Sequence, residues 1–121
     1  MNEYNIHTKN ISSSLVFYRA LFNQMPVEIA INRVQFRTPM LRLVIHEQEE
    51  PMASLQDLHY PVAQKKLGEV YGRMRRFMGR QQFMESCQEI ETSIGLIDPD
   101  GNRWIIGDAE QPVEFENCYY N

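Results

Sequence analysis

Histidines, cysteines and arginines are the side chains of this 121-residue chain whose placement most invites a chemical reading. His7 lies in Glu3-Tyr4-Asn5-Ile6-His7-Thr8, where Tyr4, Ile6 and Thr8 alternate with Glu3, Asn5 and His7. A period of two marks a half-buried strand, so Glu3, Asn5 and His7 share its polar face. The same parity in Leu41–His46 sets Leu41, Leu43 and Ile45 opposite Arg42, Val44 and His46. Such faces offer Asn5, His7, Arg42 and His46 as polar contacts, and Arg42 or Arg37 could hold an anionic group through paired N–H donors. A polar outer edge of a sheet is the plainer alternative. Cys87 could attack an electrophile or bind a soft metal only as a thiolate. Its neighbours Glu85 and Glu89 disfavour that form, and an inert, half-buried thiol is the reading that follows. Arg73, Arg75, Arg76 and Arg80 suggest a basic patch, but they fall between apolar positions of an amphipathic helix and read as its solvated face.

The elements that carry these residues can be read in order. After the first strand, Asn10-Ile11-Ser12-Ser13-Ser14 holds several possible N-caps. A helix follows from about Ser12 to Phe22, with Leu15, Tyr18, Leu21 and Phe22 on one stripe, and Asn23 is placed to end it. Three strands are expected at 27–31, 33–38 and 41–46, with a turn at Asn32-Arg33 and a break at Pro39-Met40. Residues 46–51 read as a polar linker. A short strand over His59–Ala63 comes next. Leu67, Val70, Tyr71, Met74, Phe77 and Met78 then define an amphipathic helix over 65–79. Strands at 93–97 and 103–107 flank Asp98-Pro99-Asp100-Gly101-Asn102, a composition suited to a tight turn, and a weaker strand lies between Phe83 and Glu91. Each half has the order strand, helix, three strands, which suggests an internal duplication.

Composition bounds the class. Twelve basic and sixteen acidic residues give a net charge of −4. That balance disfavours nucleic acid as a partner. No apolar run approaches the roughly 20 residues of a membrane span, and the first residues lack the pattern of a secretory leader. Two cysteines, Cys87 and Cys118, form no Cys-x-x-Cys pair and no disulfide framework, so a reduced, cytoplasmic setting is expected.

Two motifs resemble those of a known superfamily. The run from Asn10 to Phe22, ending Phe17-Tyr18-Arg19-Ala20-Leu21-Phe22, is similar to the opening "D-L-x-x-S-x-x-F-Y-x-x-L-F" of vicinal oxygen chelate proteins. These include glyoxalase I, bleomycin-resistance proteins and extradiol dioxygenases. Asp98-Pro99-Asp100-Gly101-Asn102-Arg103-Trp104 matches the "D-P-D-G-N-x-W" hairpin of the same superfamily. Finer likeness, in Phe17–Pro26 and Arg33–Val44, is to its cadmium-induced and organoarsenical-lyase branch. That branch carries a Cys-Cys pair where this chain has Ser86-Cys87, so its thiol chemistry is not expected here.

The resemblance implies an α+β fold of two βαβββ modules, about 3–46 and 58–107, within a domain over 1–110, forming a curved mixed sheet around a cleft and commonly dimeric. It leaves 111–121 as a tail, where Val113, Phe115, Tyr119 and Tyr120 suggest docking onto a partner subunit or the cleft mouth. Superfamily enzymes chelate a divalent metal with three side chains, and by position these fall at Glu3, His59 and Ile105. Isoleucine offers no donor, and two protein ligands hold a divalent metal weakly. Asp108 has the opposite strand parity and does not replace it. The reading is therefore a metal-independent small-molecule binding protein, without cofactor, using Asn5, His7, Arg42, His46, Cys87 and Ile105 in a homodimer. The alternative is a metal-dependent lyase, isomerase or dioxygenase using Glu3, His59 and a third ligand. A module that keeps only the fold and binds no ligand is a third possibility.

Overall fold

The computed structural model describes residues 2–49, 57–79, 88–90 and 93–107. In chain order the elements are β1 (Asn2–Thr8), α1 (Ile11–Phe22), β2 (Val27–Ala30), β3 (Arg33–Thr38), β4 (Leu41–Glu47), β5 (Asp57–Tyr60), α2 (Gln64–Met78), β6 (Gln88–Ile90), β7 (Ser93–Ile97) and β8 (Arg103–Gly107). This is βαβββ twice. Among the described residues, no helix is long and apolar enough to cross a membrane.

Local chemistry sets the element ends. Asn10 takes an extended conformation and its side chain accepts from the Ser13 amide at 3.2 Å, the N-cap geometry that satisfies an orphan donor. Glu47 adds a second acceptor, its Oε2 taking the Ile11 amide at 3.1 Å. At the other end Asn23 turns left-handed, with φ of 53°. The linker expected from residue 46 begins later, because His46 and Glu47 belong to β4. The fifth strand also differs from expectation. It spans Asp57–Tyr60, and Pro61, which has no amide donor, stops it short of Ala63.

Each module forms a four-stranded mixed sheet. The strand orders are β1-β4-β3-β2 and β5-β8-β7-β6, with β1 parallel to β4 and β5 parallel to β8. The remaining pairs are antiparallel. One face of each sheet lies on the core and the other carries the polar residues. Ile6, Val34, Phe36, Leu41, Leu43 and Ile45 point inward from the first sheet, and Leu58, Leu96, Trp104 and Ile106 from the second.

These side chains join α1 and α2 in one hydrophobic cluster that spans both modules. On α1 the buried set is Ser14, Phe17, Tyr18, Leu21 and Phe22, so Phe17 is a core residue while Leu15 is half-buried. On α2 Val70, Met74 and Met78 are buried, and Phe77 is instead 39% exposed, touching Phe17 edge-on.

Candidate functional site

The polar face of the first sheet is built by three rows of register partners. Glu3 faces Arg42, which faces Arg37. Asn5 faces Val44, which faces Gln35. His7 faces His46, which faces Arg33. Strand parity thus brings Asn5, His7, Arg42 and His46 together on one face. Gln35 and Arg33, which the sequence reading did not single out, complete it. The signal for them was the same alternation in Arg33–Thr38, where Val34 and Phe36 are the inward positions.

Within this face the side chains bond to one another. Arg42 donates its Nε to Gln35 at 2.7 Å and lies 3.8 Å from the Glu3 carboxylate. The His7 and His46 rings stack with centroids 4.9 Å apart. His46 Nε2 lies 2.9 Å from Asn5 Oδ1. An amide oxygen only accepts, so that nitrogen carries the proton in the neutral ring. Burial of the ring, followed by the like charges of His7 and Arg33, holds His46 below the usual histidine range. Val44, in the middle row, is buried.

In the second module His59 faces Ile105 across β5 and β8. The His59 ring is engaged: Nε2 lies 2.9 Å from the Gly107 carbonyl oxygen, which again fixes the proton on that nitrogen. The His59 amide donates to the Tyr4 hydroxyl at 3.1 Å, so an edge-strand donor of β5 is satisfied from β1. Two residues before it, Asp57 makes a two-pronged contact with Arg103, both distances 3.1 Å. That pair is exposed and fastens the β5–β8 edge only modestly.

The donor set fits a chelated divalent metal poorly. Glu3 is an exposed carboxylate 3.8 Å from the Arg42 guanidinium, His59 has Nε2 on a carbonyl, and Ile105 offers nothing. Among the described residues no three His, Cys, Asp or Glu side chains converge. Cys87, Ser86, Asp108 and the 111–121 tail lie outside the described residues.

The conspicuous motifs have a structural use. Asp98 Oδ1 accepts from the Asp100 and Asn102 amides at 2.9 and 2.8 Å, and its Oδ2 accepts from Asn102 Nδ2 and from the Tyr18 hydroxyl. Tyr18 in turn accepts from Trp104 Nε1 at 2.8 Å. Asp100 receives the Thr8 and Ser14 hydroxyls at 3.0 and 2.9 Å. Gly101 supplies the positive φ, 96°, that the turn requires. Burial and the Asp98 charge raise the Tyr18 hydroxyl well above its ordinary range, so it stays a neutral donor. Motif meets motif here. The Phe-Tyr helix of one module is bonded to the Asp-Pro-Asp-Gly-Asn turn of the other.

A separate groove of about 460 Å³ runs along the outer side of α1, lined by Val16, Arg19, Ala20, Asn23, Gln24 and Met25. It shares no residue with the polar sheet face.

No protein-family model matches the sequence, and no curated protein matches it. Solved structures do. A glyoxalase/bleomycin resistance protein from Catenulispora acidiphila DSM 44928 superposes with a TM-score of 0.67 at 15% identity, covering 88% of this chain and 96% of that one. The oxidase ChaP-H1 gives 0.65 at 16% identity, with 88% and 92% covered. A lactoylglutathione lyase from Agrobacterium tumefaciens gives 0.61 at 14%, with 89% and 92% covered. Likeness at such identities is likeness of fold, and the chain has the mixed α+β fold of the glyoxalase/bleomycin resistance proteins.

Proposed function

We propose that this chain is a small-molecule binding protein that works without a metal, in the manner of bleomycin-resistance proteins, and takes its ligand on the polar sheet face. The observation that carries the reading is Ile105 beside a His59 whose Nε2 is already bonded to the Gly107 carbonyl. A Lewis-acid site needs three donors aimed at one point with a position left open. Here one of the three positions is aliphatic, and Glu3 is turned to an arginine. What the face does offer is a set of hydrogen-bonding groups on rigid strands: Asn5, His7, Arg42 and His46 in the described residues, with Cys87 proposed as a further contact. Rigid presentation of a few polar groups suits recognition, because little side-chain order has to be created on binding.

The finer likeness to the cadmium-induced and organoarsenical-lyase branch belongs to this proposal too. It rests on Phe17–Pro26 and on Arg33–Val44, and Ser86 in place of a second thiol argues that ancestry there would not bring thiol chemistry. We place the protein in a reducing compartment, as a homodimer in which the 111–121 tail takes part in the contact or covers the ligand face.

The test has two arms. A thermal-shift screen of small metabolites and drugs against chelator-free protein is expected to give stabilising ligands that compete with one another. Metal analysis of the same preparation is expected to show no stoichiometric nickel, zinc, iron or manganese. One equivalent of any of these, lost in Glu3→Ala and in His59→Ala, would overturn the proposal and establish the metal-dependent alternative. A screen without a single stabilising ligand would also overturn it.

A further inference from the structure

The ends of the polar sheet face differ in how their charge is balanced. At one end Arg42, with Arg37 as its register partner on β3, has the Glu3 carboxylate as neighbour and Gln35 as acceptor. At the other, His7, His46 and Arg33 lie side by side across β1, β4 and β3. Among the described residues no carboxylate pairs with any of the three. Glu47 follows His46 in sequence but leaves the opposite face of the strand, where it accepts from the Ile11 amide. Glu3 is four residues along β1 from His7, on the order of 13 Å at strand spacing. Among the described residues the groups that face His46 are therefore His7 and Asn5 from β1 and Arg33 from β3, with Arg42 four residues away on its own strand, as far off as Glu3 is from His7.

Three adjacent cationic or protonatable groups without a counter-charge make a site whose missing component is an anion. Net charge points the other way: a chain at −4 favours cations at long range. At short range the row decides, since charges beyond about 8–10 Å are largely screened at physiological salt. The geometry is also held. His46 is fixed by Asn5 and stacked on His7, so the imidazoles sit on β-strands and not on a loop. We infer that the His7–His46–Arg33 row seats an acidic group of the ligand, a carboxylate, phosphate or sulfate, and that the group is taken up together with a proton on the imidazole pair. This deepens the small-molecule reading and rests on it. The chemistry balances simply: the anion enters, one imidazole gains a proton from solvent, and no covalent bond changes. Burial and the His7 and Arg33 charges already hold His46 below its ordinary range, so a bound anion has a deprotonated ring to recharge. Binding then tightens as pH falls.

Sulfate is a suitable probe because it stays dianionic throughout the histidine range. In full-length protein with labelled histidine, the three imidazoles can be followed separately while sulfate is added at constant ionic strength against a chloride reference. The His7 and His46 resonances are expected to shift saturably, and His46 to titrate at higher pH in sulfate, while the His59 resonances do not respond to sulfate. Arg33→Gln is expected to weaken sulfate binding about fivefold, and raising the pH from about 5.5 to about 8 to weaken it comparably. Equal shifts in chloride, parallel movement of all three histidines, or an unchanged Arg33→Gln variant would overturn the inference. Neutral or cationic hits from the ligand screen, with no sulfate response, would overturn it while leaving the binding function standing. Sulfate binding with an empty screen would do the reverse.

Discussion

At the scale of single residues, the side chains that identify the fold are bonded to one another, and this gives their substitution a definite cost. Tyr18 donates to Asp98 and accepts from Trp104, with both ring systems 0% exposed. Tyr18→Phe removes one oxygen but strands two partners, since the Trp104 N–H and one Asp98 lone pair lose their bond in a dry setting. A buried donor left unmet costs roughly 1–3 kcal/mol. The expected result is a fall of that size in unfolding free energy, seen as a lower denaturant midpoint at unchanged slope. A change within a few tenths of a kcal/mol would show that the triad contributes only its packing. His46 gives a prediction with a sign. Its folded-state range lies below that of the unfolded chain, so below the unfolded pKa of about 6.5 the unfolded state binds more protons. Its contribution to stability is thus whole above that pH and is lost as pH falls through the folded value. His46→Gln should flatten the loss of stability between about pH 7.5 and 5. A steeper loss would mean that His46 gains, and does not lose, affinity for protons on folding. Motif residues were legible in the sequence as motif; that Asp98 and Tyr18 meet was not, because hydrogen-bond partners 80 residues apart leave no periodic trace.

Elements were legible wherever one face is apolar and the other polar. Parity alone assigned the open face of β1 and β4, since a one-residue slip would expose Ile6 and Ile45, which are 1% and 0% exposed. Where that contrast fades, the reading faded too. The fifth strand has only four residues, and its span follows from pairing with β8 and from the missing donor of Pro61, not from its own pattern. The arginines of α2 show the same limit. They read as a solvated face, yet Arg73 donates its Nε to the Ala20 carbonyl at 2.6 Å and its Nη2 to the Leu21 carbonyl at 3.0 Å. Those are last-turn carbonyls of α1, groups that a helix leaves without partners. A long stem lets Arg73 cross from α2 and close α1 from outside. Arg73→Met keeps the stem and deletes the donors, and should cost roughly 1–2 kcal/mol, less than a fully buried charged bond because the side chain is half-exposed. Arg75→Met, on an exposed neighbour, should cost within about 0.5 kcal/mol. Equal costs for the two would remove the capping role.

For the molecule as a whole, the question is whether two βαβββ modules are two folding units or one. Neither sheet has a core of its own. Trp104 of the second module makes its aromatic contacts with Tyr4, Tyr18 and Phe22 of the first, at ring-centroid distances of 6.0, 5.8 and 5.9 Å. Tyr60 packs edge-on against Phe22 at 4.9 Å. The hydroxyls of Thr8 and Ser14 end on Asp100, and Arg73 ends on α1. A module cut free would expose this surface, and a segment of roughly 50–70 residues that lacks its partner's half of the core buries too little of its own area to compensate. Each half is therefore expected to be unfolded alone and folded in the presence of the other. The chain's one tryptophan reports on this directly. A fragment of residues 54–121 should show the red-shifted emission of a solvated indole and no near-ultraviolet dichroism. Adding residues 1–53 should shift the emission to the blue with a saturable, one-to-one stoichiometry, and Tyr18→Phe in the added fragment should weaken the association about tenfold, the loss of a buried bond in this interface. Native-like emission from 54–121 by itself would show an independent second module. The interface is then a junction between finished domains and not the core of one.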